Sequence, residues 1–186
     1  MQTDDEIITV LDASSLIITA KLQAIDDLRQ VYGKLCIPPA VYEETVVAGK
    51  RSRKLDALVI ETAILADKIQ VVSLTPPQLQ LAQRWYSAGI LDLGECKALA
   101  YAKETGSRIL IEERKGRTVA RAEGIIYVVL QVFPLYGYIA RRIPFERCMD
   151  LLDRIAVAMN SDLAVLNALK LAAEAIRHER EDTNHG

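Results

Sequence analysis

The sequence predicts an α/β fold, a parallel sheet with helices on both faces. Three observations predict it. Short, β-branched, nearly continuous apolar runs recur along the chain, as at Ile7–Leu11 and Ile125–Leu130, the pattern of strands covered on both faces. Helical spacing separates each run from the next, which makes βαβ units with right-handed crossovers. Aliphatic residues are plentiful and aromatics scarce in a chain that is half apolar, a composition suited to helices packed on such a sheet.

The elements follow in order. Residues 1–6 are a polar lead-in, and Ile7–Leu11 is the first strand, ending at Asp12. Helical spacing then runs from Leu16 to Tyr32, with Gly33 as its stop. Leu35–Ile37, punctuated by Pro38 and Pro39, reads as a second strand, and Pro39 opens a helix carrying Val41, Glu43, Glu44 and Val47. Residues 49–54 (GKRSRK) read as a basic loop, Leu55–Ala66 as a helix and Ile69–Leu74 as a third strand. Thr75-Pro76-Pro77 starts another helix, which Gly89 stops. Asp92 and Glu95 then have capping-box spacing at the head of a helix that runs to Gly106. Ile109–Ile111 is the fourth strand, a basic helix closed by Gly124 follows, and Ile125–Leu130 is the fifth strand. Beyond residue 131 the pattern is helical only, with helices at Pro144–Met159 and Ser161–Arg180 hinged at Asn160-Ser161. The polar end from His178 is expected to fray.

At 186 residues the chain makes one domain with an appendage: 1–145 as the α/β core, 146–180 as a C-terminal helical extension, 181–186 as a polar tail. A net charge of −2 excludes a global field that would draw the protein onto nucleic acid or anionic membrane. Any such contact must come from local patches. Cys36, Cys96 and Cys148 form no CxxC pair and read as reduced core thiols. With no signal-type start and no membrane-length apolar run, the expectation is a cytoplasmic protein away from membranes.

The most informative stretch surrounds the fourth strand. It ends on Glu112 and Glu113, and Arg114, Lys115, Arg117 and Arg121 follow on the next helix. An acid at the carboxyl end of a parallel strand lies where open α/β sheets place their ligands. Asp12, Glu44, Glu95 and Glu112 are candidates to converge there. Asp12 and Glu112 share a crevice if the first and fourth strands are neighbours, and Glu44 and Glu95 sit in first turns of helices starting at that edge. A few carboxylates suffice for Mg²⁺ or Mn²⁺, which favour oxygen ligands and keep several waters. Each acid also has a plainer reading, as a helix cap or as a first-turn carboxylate facing the macrodipole. The basic groups at 50–54, 114–121 and 141–142 likewise read as solvated surface or as phosphate contacts.

Other chemistries lack residues. GxxxxGK[ST] and GxGxxG are absent, and the two histidines, His178 and His185, both fall in the tail. Phosphate loops, dinucleotide sites, His-based triads and His-ligated zinc are therefore unsupported.

Four blocks in order carry a resemblance: residues 10–16 (VLDASSL), 37–44 (IPPAVYEE), 93–100 (LGECKALA) and 109–117 (ILIEERKGR). On these the chain resembles the PIN-domain superfamily, specifically the PIN-like proteins of the DUF3368 family. The resemblance implies a three-layer α/β/α fold with a five-stranded parallel sheet and a Mg²⁺- or Mn²⁺-dependent endoribonuclease. It also implies the toxin of a toxin–antitoxin pair, a small antitoxin partner and a homodimer. By motif position Asp12 resembles the first metal ligand, and Ser14 the neighbour that orients water or ligand. Glu44 resembles the second acid, Glu95 the third and Glu112 the fourth, with Glu113 beside it in the metal set. Arg114, Lys115 and Arg117 then lie along the RNA path. The chain departs from the family pattern in two places: Glu112-Glu113 stands where Asp is usual, and Val129-Leu130 where Gly-Thr is common after the fifth strand. One extra methylene moves a carboxylate by about 1.5 Å, which matters to an ion as strict about geometry as Mg²⁺. These departures carry the alternative expectation, a catalytically impaired PIN-like fold that serves as a binding or oligomerisation module. The apolar helix at 163–172 points the same way.

Overall fold

Runs of β-branched and aliphatic residues too short to be helices become five parallel strands, in the order β3-β2-β1-β4-β5. The computed structural model describes residues 8–183; Ile7, the lead-in before it and residues 184–186 lie outside them. The chain opens with β1 (Ile8–Leu11), α1 (Ala13–Lys21), α2 (Ile25–Tyr32) and β2 (Lys34–Ile37). It continues through α3 (Pro39–Tyr42), a π-helical stretch (Glu43–Ala48), α4 (Gly49–Arg51), α5 (Leu55–Leu65) and β3 (Ile69–Val71). Next come α6 (Pro76–Ser87), α7 (Leu93–Thr105), β4 (Arg108–Leu110), α8 (Arg114–Ala122) and β5 (Tyr127–Val128). Contacts divide the chain after Val129. The second unit has a 3₁₀ turn (Leu130–Val132), α9 (Phe133–Ile139), α10 (Phe145–Met159) and α11 (Leu163–Thr183).

Alternation along the strands explains why both faces of the sheet are apolar. Val10 pairs with Cys36 on one side and Ile109 on the other. These three pack in one cluster with Leu81, Trp85 and Leu99 of α6 and α7. The opposite face carries Leu11, Leu35 and Leu110, all essentially without exposure, and Thr9, whose hydroxyl donates to the Tyr32 carbonyl at the end of α2. Cys36, Cys96 and Cys148 are free and buried. Burial pushes the Cys36 thiol up to about 12 and the other two to about 11.

Several helix boundaries differ from the sequence reading, with one common cause. The helix expected over 16–32 is two helices, because Gln23 takes a left-handed φ of 53°. Around it the Ala24 N–H bonds the Thr19 carbonyl and the Gln23 N–H bonds that of Ala20, the double closure of a Schellman end. The expected loop at 49–54 is a short helix closed in the same way at Arg53, and Asp67, Arg141 and Asn160 are left-handed too. The third strand stops at Val71, and the fifth has only two ladder residues.

α8 sits against the end of β4 because Gly116 has no side chain. A Cβ there would lie 2.3 Å from Cδ1 and 3.1 Å from Cγ1 of Ile111, which is fully buried. Gly116→Ala is expected to destabilise the chain by about 1–3 kcal/mol through overpacking, seen as a lower urea midpoint at unchanged slope.

In the second unit α10 buries Cys148, Leu151, Leu152 and Ile155. α11 buries only Ala173, leaving Leu163 71%, Val165 43% and Leu171 65% exposed. Of the end expected to fray from His178, residues up to Thr183 continue α11, and residues 184–186 lie outside the described residues. Arg180 anchors it by donating to the carbonyls of Tyr138 and Ile139 at 3.2 and 2.9 Å and lying 4.6 Å over the Tyr138 ring. Among the described residues no helix is long and apolar enough to cross a membrane.

Candidate active site

The strand order makes β1 and β4 neighbours and puts the topological switch between them, where the chain leaves β1 towards β2 on one side and returns as β4 on the other. Ligands of open α/β sheets bind outside the carboxyl ends at such a point. Asp12 occupies it. Its N–H donates to the Leu110 carbonyl at 3.2 Å, extending the β1–β4 ladder by one rung. Its side chain is 1% exposed. Oδ1 accepts from the Ser15 N–H at 2.7 Å, while Oδ2 accepts from the Ser14 hydroxyl at 3.2 Å and the Glu112 N–H at 3.1 Å. The cap reading and the site reading of Asp12 are thus compatible: one oxygen starts α1 and the other ties β1 to the end of β4. Burial raises its pKa, and hydrogen bonds from Ser15, Glu112 and Ser14 pull it back only in part.

Glu95 stands half-buried in the first turn of α7. Its N–H is held at 2.8 Å by Asp92, the N-cap. Burial first, then the charges of Asp92 and Asp12, push Glu95 up to about 7. Glu44 lies in the π-helical stretch after α3. Its pKa is raised by partial desolvation, then by Asp92 and Asp12, and lowered by Lys54. Gly94 lies between two of these acids: a Cβ there would stand 3.4 Å from Asp92 Oδ1 and 3.6 Å from Glu44 Oε2, ordinary contact distances.

The adjacent glutamates divide their roles. Glu112 meets Asp12 through its backbone N–H, and its carbonyl accepts from the Arg117 guanidinium. Glu113 stands at the N-cap position of α8 without a capping side-chain bond, adds charge at Glu95 and lines an open cleft of about 570 Å³ with Asp92, Glu95 and Lys115. Of the expected RNA-path cations, Lys115 faces this cleft, Arg114 is exposed on the first turn of α8, and Arg117 turns back onto the backbone. Ser14 is exposed, with its hydroxyl on Asp12.

A family model for the PIN domains of DUF3368 matches residues 8–132. The chain belongs to that family. No curated protein matches it. The match covers the sheet and ends three residues into the second unit, so α9, α10 and α11 are additions to what identifies this PIN domain.

PIN domains are typically metal-dependent, and the residues present suit a hard cation. The donors are all carboxylate or hydroxyl oxygens. Among the described residues Asp12, Glu44, Asp92, Glu95 and Glu113 form no ion pair, and burial first, then the charges of Asp92 and Asp12, raises Glu44 and Glu95. The gap at Gly94 leaves room between two of them. As placed, no three Asp, Glu, His or Cys side chains among the described residues are grouped closely enough to hold an ion.

Asp92 and Lys54 escaped the sequence reading. Asp92 passed as a helix cap, although two acids three residues apart, heading a helix at the ligand edge, were a signal. Lys54 was grouped with a surface loop.

Proposed function

We propose that this PIN domain is a divalent-metal-dependent endoribonuclease. The supporting observation is the meeting of the Asp12, Glu44, Asp92 and Glu95 charges, with Lys54 acting on Glu44 from farther off, at the switch point of the sheet. Asp12, Glu95 and Glu113 would hold Mg²⁺ or Mn²⁺, with Glu44, Asp92 and Glu112 completing the acidic surround. When bound, the metal lowers the pKa of a water and steadies charge on a phosphoryl group. The protein's part is positioning. Three hydrogen bonds fix the Asp12 carboxylate before any ligand arrives. Burial, then the charges of Asp92 and Asp12, favour the protonated form of the Glu95 carboxyl group. Lys115 offers a phosphate contact at the cleft wall. The family likeness extends the reading to the toxin of a toxin–antitoxin pair, restrained by a small protein, and the exposed Leu163 and Leu171 suit a homodimer.

The test is digestion of a random-sequence RNA pool with Mn²⁺. Cleavage with water as nucleophile leaves no 2′,3′-cyclic phosphate, and Glu95→Gln is expected to slow it at least about a hundredfold. Uncut RNA across the pool, or equal cutting by a folded Glu95→Gln protein, would overturn the proposal. A second reading, a non-catalytic binding module, draws on Leu130, which is fully buried where Gly-Thr would put a hydroxyl. Uncut RNA would favour it.

A further inference from the structure

The cleft beside the acids has a second wall that the metal chemistry does not use. α6 ends at Ser87, and the turn after it closes with the Gly89 N–H on the Tyr86 carbonyl at 2.9 Å. Gly89 takes a left-handed φ of 67°, and the chain then passes through Ile90 and Leu91 to Asp92. This turn lies at the carboxyl edge of the sheet because the N-terminus of α7 does. Tyr86 is 46% and Ile90 40% exposed, and both line the same cleft as Asp92, Glu95, Glu113 and Lys115. The lining therefore combines aromatic and aliphatic residues with three acids and one cation, Lys115. Beneath Tyr86 the helix is anchored by the buried Leu81 and Trp85, so the platform is presented by a fixed element.

We infer that Tyr86 and Ile90 form a nucleobase subsite, which takes an unpaired base of single-stranded RNA beside the phosphate that Lys115 contacts. The inference rests on the endoribonuclease reading and assigns Tyr86 and Ile90 as the residues that would contact a base beside that site. An aromatic face accepts any base by stacking but requires that the base be out of a duplex. A solvent-open cleft of about 570 Å³ admits one base with its ribose. Asp92, which lines the cleft and is not among the proposed metal ligands, can accept an N–H group from the base edge. Register follows from the shared cleft: the base that stacks on Tyr86 belongs to a nucleotide next to the scissile bond.

The test uses the full chain with labelled twelve-nucleotide RNAs, one unstructured and one held in a hairpin duplex. Anisotropy in Ca²⁺ reads binding, and gel analysis in Mn²⁺ reads cleavage of the same RNAs. Tyr86→Ala is expected to weaken single-strand binding about tenfold. Tyr86→Phe and Tyr86→Trp keep it, since each retains a ring. Lys115→Gln is expected to lower affinity and reduce the salt slope by about one counterion. Tight single-strand and weak duplex binding by the wild type is part of the expectation. If the wild type binds and cuts while Tyr86→Ala does both equally well, the subsite is wrong and the nuclease reading stands. Duplex bound as tightly as single strand also overturns the subsite. A wild type that neither binds nor cuts either RNA removes both proposals together.

Discussion

Asp12→Asn is expected to abolish divalent-cation binding and leave the chain folded. The carboxylate accepts from the Ser15 N–H on one oxygen and from the Glu112 N–H and Ser14 hydroxyl on the other. An asparagine has one oxygen, so its NH₂ must face a backbone donor whichever way the amide turns. That costs about 1–3 kcal/mol. Against it stands the removal of a buried charge that raises both Glu44 and Glu95. The two terms oppose, and the net change in stability is expected to stay within about 2 kcal/mol. Binding has no such compensation. Loss of a partner that merely orients a ligand costs 10–100-fold in metal affinity, so loss of a direct ligand should cost more than about 100-fold. Calorimetric titration with Mn²⁺ beside a urea melt separates the effects. Wild-type Mn²⁺ affinity in the variant would show that Asp12 is a helix cap and nothing more.

Without a divalent ion, the protein is expected to lose stability as the pH rises from about 4.5 to about 7. Glu95 has an ordinary value of 4.5 and is pushed up to about 7 by burial and by Asp92 and Asp12. Below the unfolded value both states carry the proton, and the group is neutral in stability. Between the two values the folded state holds more protons than the unfolded one, so stability falls as pH rises. Above about 7 the full penalty is present and the slope vanishes. Asp12 and Glu44 are raised as well and act with the same sign. Glu95→Gln should flatten this decline in urea melts at pH 5, 6, 7 and 8 with chelator present. Added Mn²⁺ should stabilise the wild type more at pH 8 than at pH 6, because binding requires the deprotonated carboxylate. A wild-type profile as flat as that of Glu95→Gln would mean that neither burial nor the neighbouring acids raise Glu95 on folding.

The sheet was legible because buried strands have a crude signature, and four motif blocks in order placed Asp12, Glu44 and Glu95 at one edge. Helix ends were harder. Glycine marks a left-handed stop in sequence, as Gly106 does after α7. Gln23 and Arg53 adopt that geometry with side chains that announce nothing, so one break was missed and one short helix was taken for a loop. Asp92 was hidden by doing two things at once. Capping explains it completely in sequence, and only its position beside Glu44 and Glu95 shows that its charge is felt there. The division between Glu112 and Glu113 depends on which peptide N–H faces Asp12, a matter of a single dihedral that no residue pattern encodes.

The π-helical stretch has an implication for how this site tolerates change in length. Hydrogen bonds from i to i+5 house one residue more than an α-helix would over the same rise. Each α-helical residue turns the chain by about 100°, so the surplus sets the phase between Glu44 at its start and everything downstream. Downstream lies Gly49, where a Cβ would stand 2.8 Å from that of Ala57, and then Lys54, whose charge reaches back to Glu44. Deleting one residue between Thr45 and Ala48 would restore ordinary winding and swing the α4–α5 corner away from the acid it now faces. The bulge behaves as a one-residue shim: the spacing of the second acid from its neighbours is stored there as a count of residues.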